Sequence, residues 1–361
     1  MKPDPRDLLN WYDDHARRLP WRTPPKTGAD SGRADPYRVW LSEVMLQQTT
    51  VAVVIPYFER FLDRWPTVDD LARAPLDAVL SEWAGLGYYA RARNLHKCAG
   101  VVSRDLGGHF PDTEDGLRAL PGVGTYTAAA IAAIAFDRPA TVVDGNVERV
   151  MARLFAVTDP LPAAKPALKA HAGGLTPDVR PGDYAQAVMD LGATICTPRA
   201  PKCLVSVLAC PWAKACAGRK SGIAPELPRR TPKAARPVRR GVAFWLQAPH
   251  PETGAPAVLL RRRDGRGLLG SMMEVPSRGW SDDDHGVLAG GAPLEQGVEW
   301  KTLDARVGHT FTHFHLELEV RVAIRDAAPD QSGGDWHPID DLSGQALPSV
   351  MVKVARLVLD Q

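Results

Sequence analysis

Cysteine is scarce in this sequence, and long apolar runs are absent from it. Five of the 361 residues are cysteine, so a fold held together by many disulfides is not expected. The longest apolar stretch, Thr127 to Phe136, is shorter than the about 18 residues that a membrane span needs, so we expect a core helix there and no membrane contact. No apolar run follows the basic residues at the start, which predicts no secretory signal and a cytoplasmic protein.

An excess of charge of one sign is also lacking. The 44 Lys and Arg stand against 42 Asp and Glu, for a net charge of +2, which by itself indicates no particular partner. The exception is residues 229–240, RRTPKAARPVRR, which hold six Lys or Arg and no acid. A solvated linker explains this run, and so does contact with a nucleic acid.

Length and periodicity predict two folded domains joined by a linker. Residues 1–222 carry apolar positions at helical spacing and are predicted to be all-α. Residues 223–240 are rich in Pro and Arg and are predicted to be the linker, whereas residues 241–361 change to an alternating period and are predicted to be α+β. The predicted helices are Asp7–Arg18, Tyr37–Thr49, Val53–Trp65, Leu76–Ala84, Arg91–Leu106, Thr125–Phe136, Asn146–Leu154 and Asp183–Cys196, and the predicted strands are Val242–Gln247, Ala257–Arg263 and Phe314–Ile324.

Four of the five cysteines fall within 21 residues, at Cys196, Cys203, Cys210 and Cys216. In a reducing compartment such a cluster more often binds metal than forms disulfides. The intervals of six, six and five residues lack the closely spaced cysteine pairs of structural zinc sites. Four thiolates on one compact loop suit an iron–sulfur cubane better. On spacing alone the cubane is favoured, while zinc and no metal at all stay open.

A Pro-Gly-x-Gly turn opens an Ala-rich helix in LPGVGTYTA, residues 120–128. Gly122 and Gly124 let the backbone turn tightly, and the helix that follows offers free N–H groups at its positive end. A DNA phosphate could dock there without any reading of base sequence. An ordinary corner between two helices fits the same residues equally well.

Two carboxylates stand in surroundings that suit catalysis. Glu43 interrupts the apolar helix face of SEVMLQQTT, and Asp144 precedes Gly145 and Asn146 at the start of a helix. Cleavage of a glycosidic bond needs an acid for the leaving group and an anion beside the developing oxocarbenium ion. The simpler interpretations are a solvent-facing Glu43 and a helix-capping Asp144, because Asp is a favoured N-cap residue.

Aromatic and basic residues are combined in GLGYYARARNLH, residues 85–96. Tyr88 and Tyr89 precede Arg91 and Arg93, an arrangement typical of an intercalating wedge with phosphate contacts. A buried aromatic pair is the alternative.

Taken in order, these motifs resemble the adenine DNA glycosylases of the MutY type, over nearly the whole chain. The resemblance implies a helix-hairpin-helix glycosylase domain with an iron–sulfur loop at 196–216, followed by a Nudix-like domain. It also implies a monomer that carries a [4Fe–4S] cluster and removes adenine mispaired with 8-oxoguanine or guanine from double-stranded DNA. The stretches that carry it are LPWR, SEVMLQQTT, GLGYYARARNLHK, LPGVGTYTAAAI, VDGNVERV, YAQAVMDLGATICT, the four cysteines, Leu268–Pro276 and HTFTHFHLELE.

The resemblance assigns catalytic roles to four residues of the helical domain. Glu43 is the expected general acid that protonates N7 of the flipped adenine, for which burial must raise its pKa above the usual value of about 4.3. Asp144 is the expected anion beside the oxocarbenium ion, with Tyr126 and Asn146 as partners of the site. Lyase relatives have Lys in the slot of Tyr126, so this Tyr predicts a monofunctional enzyme that leaves an abasic site.

The same resemblance implies further DNA contacts. Gln48 and Tyr88 match residues that fill the gap around 8-oxoguanine after base flipping. The C-terminal domain lacks the Glu-rich Nudix box, so metal-dependent pyrophosphate hydrolysis is not expected. Phe311, Thr312 and His313 match a Phe-Ser-His loop that reads 8-oxoguanine, and they are predicted to lie in the entry to a strand, at a domain edge.

The cysteine spacing departs from the family pattern, in which two residues usually separate the second and third ligands. The usual third position holds Ser206 here. Cys210 is the natural replacement, and an insertion of four residues explains the longer interval. The resemblance thus implies Cys196, Cys203, Cys210 and Cys216 as the ligands.

Two other functions are weighed against this one. A bifunctional glycosylase–lyase of the endonuclease III kind, acting on oxidised pyrimidines, is disfavoured by Tyr126 and by the C-terminal domain. A DNA-binding module without catalysis is disfavoured by the presence of both Glu43 and Asp144.

Overall fold

The computed structural model describes residues 2–25, 33–232, 235–264, 267–280, 298–328 and 334–360. Its internal contacts group the chain into two compact units. The helical unit contains residues 1–73 and 94–233, and the sheet unit contains residues 74–93 and 234–361. Residues 74–93 therefore group with the sheet unit, whereas the sequence placed them in the helical domain. The predicted domain boundaries stay a prediction.

All eight predicted helices are confirmed, with ends that shift by at most three residues. The first two begin earlier than predicted because Asp4 and Asp35 cap them and proline occupies their first turn. Helix α6 contains the boundary between the two units, and α5 and α13 belong to the sheet unit. The helices are α1 (Pro5–His15), α2 (Pro36–Leu46), α3 (Val51–Arg64), α4 (Val68–Arg73), α5 (Leu76–Trp83), α6 (Ala90–Asp105), α7 (Glu114–Arg118), α8 (Thr125–Phe136), α9 (Gly145–Leu154), α10 (Lys165–Gly173), α11 (Pro181–Thr194), α12 (Ala217–Lys220) and α13 (Ser349–Leu359).

Helix α8 is the centre of the helical unit. Every side chain from Thr127 to Ala135 is buried, as expected of a helix that is apolar all round. It packs against α2, α7 and α11. Its alanines let the backbones approach closely, since a Cβ added to Gly182 of α11 would lie 2.4 Å from the carbonyl oxygen of Ala133. Residues on α2, α8 and α11 are therefore held close together.

A buried ion cluster ties the segment after α1 to α11. The Asp190 carboxylate is fully buried and pairs with Arg17 at 2.6 Å and with Arg22 at 2.7 Å. The backbone N–H of Arg17 also donates to Asp190 at 3.0 Å. Because a buried carboxylate without partners is strongly destabilising, this cluster fixes the position of the LPWR segment.

The sheet unit is built around two long parallel strands, β1 (Val238–Pro249) and β7 (His315–Ile324). They pair from Val238–His315 to Gln247–Ile324. The strand order is β3-β2-β1-β7-β5, with β4 on β1, β6 on β7 and β8 on β2. The other strands are β2 (Pro256–Arg262), β3 (Met273–Glu274), β4 (Ser277–Arg278), β5 (Lys301–Thr302), β6 (Val307–Thr310) and β8 (Asp335–Pro338).

The predicted α+β character of the C-terminal residues is confirmed. On β7, Leu316, Leu318 and Val320 point into the core, as the alternating sequence predicts. Helix α13, which the sequence analysis missed, contributes Val350 and other apolar residues to the same core. Strand β1 begins three residues before residue 241, inside the predicted linker. Among the residues that the structure describes, no helix has the length and apolar character to cross a membrane.

Replacing Gly182 by Ala should destabilise the helical unit by about 1–3 kcal/mol. The added Cβ would lie 2.4 Å from the carbonyl oxygen of Ala133, so α8 and α11 would have to separate. Gly174→Ala is the matched control, because its Cβ would lie at an ordinary 3.6 Å from the carbonyl oxygen of Ala170. Chemical denaturation of both variants measures the difference. Equal stability of Gly182→Ala and wild type would contradict this close packing.

Candidate active site

Glu43 lies on the buried side of α2. Its residue surface is only 6% exposed, so the solvent-facing alternative is wrong. The hydroxyl of Tyr126, in the first turn of α8, donates a hydrogen bond of 2.8 Å to Oε2 of Glu43. The structure thus brings together two of the predicted catalytic residues, which are 83 positions apart in the sequence.

The surroundings of Glu43 favour its neutral form. Burial raises the pKa of Glu43 to about 7, against the opposing effect of the hydrogen bond from Tyr126. The negative charge of Asp144 raises this pKa further, and the positive charge of Arg22 lowers it. A carboxyl with a pKa near neutrality can hold a proton at physiological pH and give it up during a reaction.

Asp144 is the N-cap of α9, so the capping interpretation is confirmed. Its Oδ1 accepts from the backbone N–H of Val147 at 2.7 Å, and its Oδ2 accepts from the side-chain amide of Asn146 at 2.8 Å. Capping does not compete with a catalytic role, because the same donors hold the carboxylate in one orientation. Burial raises the pKa of Tyr126, and the negative charges of Glu43 and Asp144 raise it further, so these three groups share one site.

Arg149 joins the Asp144 region to the segment that begins at Cys196. Its guanidinium donates to Oδ1 of Asn146 at 2.8 Å and to the carbonyl of Gly192 at 2.8 Å. It also donates to the carbonyl of Cys196 at 2.7 Å. Arg149 therefore holds the Asn146 amide, which orients Asp144, and also binds the start of the cysteine segment.

Arg153, one turn further along α9, holds the same segment from inside the helical unit. This buried side chain donates to the carbonyls of Thr197 at 2.7 Å and Pro198 at 2.8 Å. It also donates to Sγ of Cys196 at 3.4 Å. Neither arginine was predicted from the sequence as part of the site, although their spacing of four residues places both on one face of α9.

The four clustered cysteines line one cavity of the helical unit, together with apolar side chains such as Trp212. Cys196, Cys203 and Cys216 are buried, and Cys210 is partly buried. The exposed Ser206 is not among the residues that line this cavity. The arrangement therefore supports Cys210 rather than Ser206 as the fourth member of the set.

The chemistry of these donors fits an iron–sulfur cluster, because four soft thiols meet at one cavity with a nearby guanidinium. Burial raises the pKa of Cys210 to about 12 and also raises the pKa of Cys203 and of Cys216, so these thiols ionise readily only beside a bound cation. In the described part of the chain, no three His, Cys, Asp or Glu side chains are arranged to hold a metal ion.

Two glycines were predicted to shape the turn between α7 and α8, and the backbone requires glycine only at position 122. Gly122 has a φ of 75°, and an added Cβ would lie 2.6 Å from Cβ of Asn94, so any other residue would be strained and crowded. Gly124 is the N-cap of α8, and an added Cβ there would meet open space. Because glycine offers no capping side chain, the first N–H groups of α8 suit an external anion.

Gln48 and Tyr88 both have left-handed backbones, with φ of 60° and 50°. Such a conformation is uncommon for residues other than glycine and often marks a functional position. Gln48 is exposed in the helical unit, and Tyr88 is 48% exposed in the sheet unit. The alternative of a buried aromatic pair is therefore wrong for Tyr88, although Tyr89 is buried.

Phe311, Thr312 and His313 lie just before β7, as predicted, in the turn of a β-hairpin between β6 and β7. The backbone N–H of Phe311 donates to the carbonyl of Phe314 at 2.9 Å and closes the turn. The sequence analysis missed β6, and with it the hairpin. The Phe311 ring stacks on Trp280 at 5.9 Å between centroids, whereas Thr312 and His313 are exposed.

The hairpin also brings together two residues that the sequence analysis singled out separately. The hydroxyls of Tyr88 and Thr312 form a hydrogen bond of 2.8 Å within the sheet unit. A phenol and a hydroxyl of this kind can both donate to a base edge or accept from it. The roles of Gln48, Tyr88 and the three hairpin residues in DNA binding stay predictions.

Comparison with known proteins agrees with this geometry. A family model described as HhH-GPD superfamily base excision DNA repair protein matches residues 41–170, and a NUDIX domain model matches residues 252–357. The adenine DNA glycosylases of Mus musculus and Homo sapiens are each 37% identical to this chain, over 98% of it and over 77% and 73% of their own lengths. That of Mycolicibacterium smegmatis is 40% identical over 60% of this chain and 71% of its own.

A solved thermostable thymine-DNA glycosylase is also similar, with a TM-score of 0.51 and 29% identity over 60% of this chain and 95% of that one. Three observations indicate the same family. They are the helical hairpin, the buried acid beside a capped carboxylate, and the similarity to adenine DNA glycosylases over almost the full length of the chain. The chain belongs to the adenine DNA glycosylases of the helix-hairpin-helix superfamily of base excision repair proteins.

Proposed function

We propose that this protein excises adenine lying opposite 8-oxoguanine, or opposite guanine, in double-stranded DNA and leaves the abasic site uncut. The observation that carries the proposal is the buried Glu43 with a pKa of about 7, hydrogen-bonded to Tyr126 and electrostatically coupled to Asp144. Two carboxyl groups with different environments are what an acid-assisted glycosidic cleavage requires.

The first step uses Glu43 as the general acid. Its carboxyl proton passes to N7 of the extruded adenine while the bond between C1′ of the sugar and N9 breaks, and the bonding electrons leave with the base. The proton neutralises the leaving group, which would otherwise depart as an anion. The hydrogen bond from Tyr126 stabilises the Glu43 carboxylate that remains.

The second step uses Asp144 as the anion. Its oxygens are fixed by the N–H of Val147 and the amide of Asn146, so it needs little reorganisation when positive charge develops at C1′. Water then adds to C1′ and gives its proton to the Glu43 carboxylate, which regenerates the acid and completes the hydrolysis. The Tyr126 phenol cannot form a Schiff base with the sugar, which supports a glycosylase without lyase activity.

We also propose that Cys196, Cys203, Cys210 and Cys216 hold a [4Fe–4S] cluster. When bound, such a cluster crosslinks its loop through four thiolate bonds. Arg149 and Arg153 already connect the start of this loop to α9, so a fixed loop would help to fix Asn146 and Asp144.

Recognition of the opposite base is assigned to the hairpin of the sheet unit. Thr312 and Tyr88 present paired hydroxyls, which could hydrogen-bond to the N7–H and O6 edge that distinguishes 8-oxoguanine from guanine. A hydrogen-bonded contact of this kind gives roughly 1–3 kcal/mol of discrimination.

The proposed enzyme acts as a monomer in the cytoplasm.

Glu43→Gln should bind duplex DNA with adenine opposite 8-oxoguanine but release no adenine, because an amide has no proton to give to N7. Single-turnover release of adenine, with guanine in place of the lesion as a second substrate, provides the measurement. Near-normal release by Glu43→Gln would exclude Glu43 as the acid. Wild-type release that is equally fast for undamaged A:T pairs would exclude the proposed substrate.

A folding control accompanies this variant. The pKa of Glu43 is raised in the folded state, so the stability that protonation contributes is complete below the unfolded value of about 4.5 and is lost as pH rises through about 7. Glu43→Gln lacks this loss, and its Tm relative to wild type should increase from pH 5 to pH 8. Inactivity together with this stability gain would show that the variant is folded.

Cys210→Ser should lose most of the bound iron and weaken DNA binding, whereas Ser206→Ala should keep both, because Cys210 lines the cysteine cavity and Ser206 does not. Iron and sulfide analysis of the purified variants is the measurement, and about four of each per chain are expected in wild type. The reverse pattern would show that Ser206 is the ligand. A wild-type protein that contains zinc and no iron would overturn the cluster.

A further inference from the structure

The longer interval between Cys203 and Cys210 produces a projection that the proposed mechanism does not use. We call residues 204–208, LVSVL, the apolar tip. Val205 is 94% exposed and Leu208 is 95% exposed. Large apolar side chains exposed to this extent lose the free energy of burial, so a partner surface that covers them would be favoured.

The apolar tip has a defined backbone. Two short turns of 3-10 helix, Lys202–Leu204 and Val207–Ala209, flank its centre. The N–H of Val205 donates to the carbonyl of Lys202 at 3.0 Å, and the N–H of Ala209 donates to that of Ser206 at 3.2 Å. A preformed projection loses little conformational entropy when it enters a partner.

Both ends of the apolar tip are fixed to the helical unit. Cys203 is buried, and its carbonyl accepts from Nε of Arg219 at 3.1 Å. Cys210 lines the cysteine cavity at the other end. Val205 and Leu208 therefore project from an anchored base.

The charge around the apolar tip indicates a polyanion as the partner. Residues 196–225 contain no Asp or Glu. The same stretch contains five cations, none of which is fully buried: Arg199, Lys202, Lys214, Arg219 and Lys220. A duplex presents phosphates to such cations at its groove edges and apolar sugar and base surfaces between them.

We propose that the apolar tip enters the minor groove of the substrate duplex as a wedge, while the surrounding cations contact phosphates. The proposal rests on the proposed function only in taking double-stranded DNA as the ligand. Val205 and Leu208 would pack against sugars and base edges, as apolar wedges do in proteins that bend DNA. The wedge contributes affinity and orientation, and no bond to the DNA is made or broken through it.

The test compares DNA affinity and its salt dependence in the full-length protein. The double variant Val205→Ser with Leu208→Ser removes the apolar surface, and Val179→Ser, at a site that is 73% exposed elsewhere in the helical unit, is the matched control. Lys202→Ala removes one neighbouring charge. The probe is a short duplex with 2′-fluoro-2′-deoxyadenosine opposite 8-oxoguanine, because the fluorine prevents cleavage during the measurement.

The double variant should raise the Kd about tenfold and leave the slope of log K against log salt unchanged. Lys202→Ala should instead reduce that slope by about one, and Val179→Ser should change neither quantity. An unchanged Kd in the double variant would overturn the wedge. Adenine release at saturating wild-type enzyme separately tests the proposed function. A failure of the proposed function and a failure of the wedge are therefore distinguishable.

Two further outcomes would assign the apolar tip to another partner and overturn the proposal. In the first, the Kd for DNA is unchanged, and sedimentation shows that wild type self-associates and the double variant does not. In the second, the Kd for DNA is unchanged, and wild type binds phosphatidylglycerol vesicles whereas the double variant does not. Thermal melting confirms that all variants are folded, which is expected because the substituted side chains are exposed.

Discussion

The burial of one carboxyl group between α2 and α8 governs the chemistry of this site. Removing Glu43 from water raises its pKa to about 7, and the hydroxyl of Tyr126 is the donor that makes the ionised form tolerable there. Asp144 is less buried than Glu43, and two N–H donors hold its oxygens in place. The site therefore holds two carboxyl groups in different surroundings, which suits the acid and the anion of the proposed mechanism.

Helix α9 connects Asp144 to the cysteine segment. Its N-cap is Asp144, and its Arg149 and Arg153 bind the backbone around Cys196. Close packing leaves little freedom, since a Cβ added to Gly218 would lie 2.5 Å from the carbonyl oxygen of Arg153. A displacement of the cysteine segment would therefore disturb Arg149 and Asn146, and with them the orientation of the Asp144 carboxylate.

Local sequence patterns predicted most helices because apolar spacing and capping residues act within a few positions, and α8 was predicted residue for residue. Strands such as β6 were missed because four residues show no periodicity. The pairing of Glu43 with Tyr126 and of Tyr88 with Thr312 depends on tertiary packing across 83 and 224 positions. Buried arginines such as Arg153 were missed because on a helix they resemble solvent-facing charges.

A titration of Glu43 shows whether this residue can hold a proton at neutral pH. Carbon NMR of protein labelled at its Glu side-chain carboxyls follows the titration, and Glu43→Gln assigns the resonance. We expect a pKa of about 7 in wild type and a higher value in Tyr126→Phe, because the lost hydrogen bond stabilises the ionised form. A pKa near the value of about 4.3 for Glu in water would exclude Glu43 as the general acid, since such a group is ionised at neutral pH and has no proton to give to adenine.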